Sequence, residues 1–150
     1  MKRIALCLLV FCFGIVLETA TAQQSLVAPG ASVVKLADGF AFTEGPAANS
    51  KGDVYFVDDP NNMILCWSVA GKKLTTFIDD SAHANGMYVD KNDNLYVCEG
   101  GTGSIVYYTP AGKRTVVANK FGDRHFNKPN DLWIDPKGGI YFTDPVYGQN

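Results

Sequence analysis

Short apolar runs, separated by polar breaks rich in Gly, Asn and Asp, recur along most of the chain, and no stretch sustains a helical period. The clearest pair lies near the C-terminal end. Leu132-Trp133-Ile134 and Ile140-Tyr141-Phe142-Thr143 flank Asp135-Pro136-Lys137-Gly138-Gly139, which predicts a β-hairpin. The same design appears twice upstream. FTEGPAANSKGD (42–53) precedes VYFVDD, ANGMYVDKNDN (84–94) precedes LYVCEG, and PNDLWIDPKGG (129–139) precedes IYFTDP. Tyr55, Tyr96 and Tyr141 stand 41 and 45 residues apart, the spacing of four-stranded propeller blades, roughly 40–45 residues. Two further runs complete each of the first two units: Met63 to Val69 with Leu74 to Asp79, and Ser104 to Pro110 with Arg114 to Ala118. The pattern therefore predicts an all-β fold, a β-propeller with blades at about 40–80, 81–121 and 125–150, the third reaching only its second strand. Propellers close with typically about 4–8 blades, so the expectation is the N-terminal part of a longer protein. Ser32 to Asp38 (SVVKLAD) is also strand-like and fits a strand that completes the last blade of the ring; with that blade missing here, it has no obvious partner.

Composition changes this picture little, except at the N-terminus. The 150 residues are 47% hydrophobic and 19% charged, with 15 Gly and a net charge of −2. No long basic run is present, which argues against nucleic acid or an anionic membrane as partner. Residues 1–22 stand apart: Lys2-Arg3, an apolar run from Ile4 to Leu17, then Ala20-Thr21-Ala22 before a cleavage point. That run is shorter than the roughly 20 residues of a spanning helix. It predicts a signal peptide rather than an anchor, a linker over 23–31, a propeller domain over 32–150, and a mature protein that is secreted or periplasmic without membrane attachment. Of the four cysteines, Cys7 and Cys12 fall in the leader. Export would permit a Cys66–Cys98 disulfide, but each lies in a strand-like run of a different repeat, where a buried free thiol serves as well.

The repeat alignment places Glu44, Asn85 and Asn130 at equivalent positions, each opening the first strand of its unit. In a propeller that strand lines the central channel, so three oxygen-bearing side chains are expected at one mouth. A carboxylate with amide oxygens suits a hard divalent cation such as Ca²⁺ or Mg²⁺; the alternative is that these residues cap turns. A second equivalent set, Asp58, Glu99 and Asp144, follows 14 residues after the first. These residues either cap backbone or stand behind the channel residues and orient them. His83 lies two residues before Asn85, at the edge of the expected mouth, and His125 in the charged loop 122–125. Neither belongs to a Ser-His-Asp, phosphate-loop or zinc pattern.

FTEGPA (42–47), ANGMYVD (84–90), LYVCEGG (95–101), NKPNDLWID (127–135) and YFTDPVYG (141–148) together resemble the bacterial gluconolactonases. Their superfamily also holds senescence marker protein, the squid-type phosphotriesterase and luciferin-regenerating enzyme. The resemblance implies a six-bladed propeller with one divalent metal in its channel. Calcium is the first expectation, with zinc, magnesium and manganese as alternatives. It implies Glu44 and Asn130 as metal residues, and Asn85, Asn130 and Lys128 facing substrate. Lys128 stands where some members carry an Arg. The implied reaction is hydrolysis of a small-molecule sugar lactone, with the metal as Lewis acid. The family's general-base Asp and a further Asn ligand are expected downstream, so no catalytic base is assigned within these residues, and this stretch alone is expected to be inactive. The alternatives are a non-catalytic propeller binding sugars or proteins, or a related metal-dependent esterase or phosphotriesterase.

Overall fold

A computed structural model describes residues 27–148. The leader expected over residues 1–22, and the first part of the linker after it, lie outside them. Among the described residues no helix is long and apolar enough to cross a membrane.

Two four-stranded antiparallel meanders form the body of the structure. The first has β1 (Thr43–Ala48), β2 (Val54–Asp58), β3 (Met63–Ser68) and β4 (Lys73–Ile78), in the spatial order of the sequence. The second repeats it with β5 (Ala84–Val89), β6 (Leu95–Glu99), β7 (Ser104–Tyr108) and β8 (Arg114–Ala118). A small ribbon follows, β9 (Lys120–Phe121) with β10 (Arg124–His125), and then the hairpin β11 (Leu132–Ile134) with β12 (Ile140–Phe142). The chain is thus all-β: two blades and the inner half of a third, as the spacing predicts. The ribbon was not foreseen, because two-residue strands leave no periodic trace.

The strand-like run left without an obvious partner forms no strand. Residues 32–38 belong to no sheet and are mostly exposed. A β-branched run is strand-like only in propensity, and a strand exists when a ladder partner supplies its hydrogen bonds.

The inner hairpins close identically because an Asn or Asp recurs at one position. Asn49, Asp90 and Asp135 each present a side-chain oxygen to the backbone N–H groups two and four residues on. The fourth residue of each turn is left-handed: Gly52 (φ 80°), Asp93 (φ 60°) and Gly138 (φ 89°). Asp tolerates that conformation better than most residues. Asp93 also holds the neighbouring blade, accepting bonds from Ser50 N at 2.8 Å and Ser50 Oγ at 2.7 Å.

Two apolar cores lie between successive blades. The first joins Tyr55, Val57 and Ile64 of blade one to Met87, Leu95, Val97, Val106 and Tyr108 of blade two. Each such side chain, when fully buried, contributes about 1.5–3 kcal/mol. The second joins Cys98 and Ile105 to Leu132, with Tyr96, Ile140 and Phe142 packed around them. Both Cys66 and Cys98 are free thiols; Cys98 is fully buried, whereas Cys66 is only partly so. Burial, and then the Asp131 and Asp144 carboxylates, push the Cys98 thiol up to about 12, so it is protonated and inert at neutral pH.

Candidate functional site

The three inner strands each carry one extra residue where they reach the mouth. Pairing shifts between Glu44 and Ala47 in β1–β2 and between Ala84 and Met87 in β5–β6. In the third unit Asn130 N donates to Thr143 O and Thr143 N to Asp131 O, so two residues again face one. Such bulges twist a strand end and re-aim its side chains. Here they bring Glu44, Asn85 and Asn130, all half-buried, to one cavity of ≈ 350 Å³ that also touches Asp131. The three residues that the repeat aligns do converge.

Glycines allow that convergence. Gly45 (φ 59°) lies so close to the next blade that a Cβ would stand 2.2 Å from the Asn85 carbonyl oxygen. At Gly86 a Cβ would meet Asp131 Oδ1 at 2.3 Å and Asn130 O at 2.7 Å. Gly86 N donates to Asn130 O at 2.6 Å, so the first strand of one blade is bonded to the first strand of the next. The signal was present in the sequence as Glu44-Gly45 and Asn85-Gly86, but spacing alone does not show what a glycine faces.

Asp58 and Asp144 do one job at one offset. Asp58 accepts bonds from Ala41 N and Phe42 N at 3.1 Å, and Asp144 from Asn127 N and Lys128 N at 2.9 Å. Each carboxylate therefore pins the backbone two and three residues before its channel residue, Glu44 or Asn130. Burial works to raise the Asp58 carboxyl, but bonds from Asn61, Phe42 and Ala41 outweigh it and hold it below the usual carboxylate range. Glu99 departs from the pattern. It is fully buried and takes Arg114 Nε at 2.8 Å and Nη2 at 2.6 Å, Tyr108 Oη at 2.9 Å and Thr102 Oγ1 at 2.7 Å. It braces the body of blade two and caps no approach strand. One methylene longer than Asp, it reaches past the local backbone to Arg114.

The corresponding approach strand of blade two is held otherwise. Asn62 Oδ1 accepts His83 N at 2.7 Å, while Gly100 N and Gly101 N donate to the carbonyls of His83 and Ala82 at 2.9 Å. A smaller cavity of ≈ 80 Å³ opens there, lined by Asp59, His83, Asn85, Lys128, Asn130 and Tyr147 among others. Lys128 Nζ lies 5.5 Å above the centre of the Tyr147 ring. Tyr147 and Asp59 carry no mark in the sequence because they fall outside the aligned positions, whereas Asp131 stands beside Asn130 at the polar end of its strand and does reach the larger cavity. His125 sits on the β9–β10 ribbon, exposed, and lines neither cavity. A larger groove of ≈ 400 Å³ lies at the turn end of the blades, lined by residues such as Tyr96, Trp133 and Lys137, and holds none of the site residues.

The electrostatics of the mouth favour a cation. Partial burial, then the Asp59 and Asp131 carboxylates, raise the Glu44 carboxyl above its ordinary value, with Lys128 opposing. Among the described residues no three His, Cys, Asp or Glu side chains group closely enough to hold a metal by themselves. A cation here would rest on one carboxylate with amide oxygens, a donor set that fits a hard divalent ion.

Residues 25–150 match the family described as SMP-30/Gluconolactonase/LRE-like region. The chain belongs to this family. A gluconolactonase of Zymomonas mobilis is 33% identical over an alignment covering 75% of this chain and 36% of that protein. The structure is similar to a gluconolactonase from Xanthomonas campestris (TM-score 0.70, 28% identity), covering 75% of this chain and 38% of that one. It is also similar to a putative gluconolactonase (TM-score 0.74, 33% identity), covering 80% of this chain and 42% of that one. The chain thus spans well under half the length of these relatives, about the share that two and a half blades of six would take.

Proposed function

We propose that this family member is an exported, metal-dependent hydrolase of sugar lactones, of the gluconolactonase type, and that the described mouth is part of its active site. What carries the reading is the convergence of Glu44, Asn85 and Asn130 on one cavity in a chain of this family. Glu44 and Asn130 would hold the cation, calcium first. A bound divalent ion supplies Lewis-acid polarisation of a carbonyl oxygen. Asn85 and Lys128 offer hydrogen bonds to the hydroxyls of a substrate lying against the mouth. Asp58 and Asp144 fix the backbone that carries Glu44 and Asn130, so the donors are set in place before anything binds. Proton transfer is assigned to no residue described here.

The test is lactonase activity of the whole protein, measured against glucono-δ-lactone. Activity is expected to vanish on exhaustive chelation and to return with added Ca²⁺ or another divalent ion. Activity untouched by chelation would sink the metal assignment. Export is tested separately, by N-terminal sequencing of the mature protein, expected to begin near Gln23.

A further inference from the structure

Ala82 and His83 are consecutive non-glycine residues in the left-handed region, at φ 53° and 52°. That conformation costs roughly 1–2 kcal/mol per residue and persists only where the surroundings impose it. Here three backbone bonds impose it. Asn62 Oδ1 takes His83 N at 2.7 Å, and the two peptide N–H groups of Gly100 and Gly101 hold the carbonyls of His83 and Ala82 at 2.9 Å. The strain has a product. It sets the His83 ring on the wall of the smaller cavity, with Nδ1 3.5 Å from Asp59 Oδ1.

We propose that His83, backed by Asp59, is a specificity-determining residue that accepts a hydrogen bond from a hydroxyl of the sugar lactone. The proposal rests on the lactonase reading above. In the neutral ring a carboxylate beside Nδ1 draws the proton to that nitrogen, and Nε2 is then the acceptor. Asp59 is also half-exposed, and its second oxygen offers another acceptor on the same wall. The same cavity is lined by Lys128, whose ammonium lies 5.5 Å above the centre of the Tyr147 ring. Acceptors and an ammonium donor in the lining of one cavity suit a ring that bears several hydroxyls. They leave an unsubstituted lactone with nothing to offer the polar groups. A site built to bond a hydroxyl discriminates against the analogue that lacks it.

The experiment compares glucono-δ-lactone with δ-valerolactone on the whole protein in saturating Ca²⁺. The variants are His83→Ala and His83→Asn, the second because Asn tolerates the left-handed backbone while its shorter side chain moves the acceptor away. Each is expected to raise KM for glucono-δ-lactone about 3- to 10-fold, the effect of one neutral hydrogen bond. The kcat should stay within about twofold and kcat/KM for δ-valerolactone should not change. Asp59→Asn should show the same split, more weakly. Equal losses on both lactones, or no change on either, would overturn the assignment. If the unmutated protein hydrolyses neither lactone, the lactonase reading has failed on its own account. The wall is then read by NMR titration of D-gluconate. Binding weakened by His83→Asn supports it, and equal or absent binding overturns it.

Discussion

Gly86 shows how much a single residue decides at the mouth. An added methyl would run into Asp131 and the Asn130 carbonyl, both fixed by β11–β12. Gly86→Ala is therefore expected to destabilise the fold by about 2–4 kcal/mol, read by chemical denaturation. Gly122→Ala separates the backbone cost from the clash: Gly122 is left-handed (φ 59°), as Gly86 is not, and has open space around it, so the change should cost only about 1–2 kcal/mol. Glu44 is the opposite case, a residue whose chemistry opposes the fold. Its carboxyl is raised by burial and by Asp59 and Asp131. A raised carboxyl favours the native state only while protonated, so that contribution is lost as pH rises through its folded value. Glu44→Gln should accordingly raise the melting temperature of metal-free protein at neutral pH and sharply weaken Ca²⁺ binding by calorimetry. Asp58→Asn should do the reverse, lowering stability with a smaller effect on the metal. Equal effects of the two on Ca²⁺ affinity would mean that the two aligned sets are misranked. That Glu44, Asn85 and Asn130 share a position was legible from spacing, because a blade repeat puts equal offsets on equal strands.

At the level of elements, the hairpin turns were legible and the braces were not. A turn is local: the Asx side chain and the residues it bonds lie within four positions. Glu99 was aligned with Asp58 and Asp144, yet its partner Arg114 lies 15 residues on, across two strands. No repeat position announces that pairing. Arg114→Ala would leave a fully buried carboxylate without its guanidinium, and is expected to cost about 2–4 kcal/mol; Arg114 is itself partly in water, so the value falls below that of a wholly buried pair. Tyr108→Phe, which removes one bond of the same cluster, should cost about 1 kcal/mol. Asp58 gives the pH dependence of the approach strands. Its carboxyl is held low by bonds from Asn61, Phe42 and Ala41 against the pull of burial. The stability it supplies is present above the unfolded carboxyl value and fades as pH falls through the lower folded one. Acid titration of Asp58→Asn should lack that part of the transition.

In the molecule as a whole, blades share cores, so each face is stable in proportion to what its neighbour covers. Val57 and Ile64 are fully buried because blade two lies over them, while Trp133 and Tyr141 stack on each other at 5.7 Å and stay half in water. The sequence by itself determined the all-β class, the period, the turns and the three aligned polar residues. All of these follow from alternation, short-range hydrogen bonding and regular spacing, which are written along one dimension. The tertiary structure alone decided that Gly45 and Gly86 are contact points between blades, that Glu99 braces the blade while its aligned partners cap strands, and that Asp59 and Tyr147 join His83 on a wall beside Asn85 and Asn130. Those facts depend on which surfaces meet. Packing between strands distant in sequence fixes that, and no local pattern encodes it.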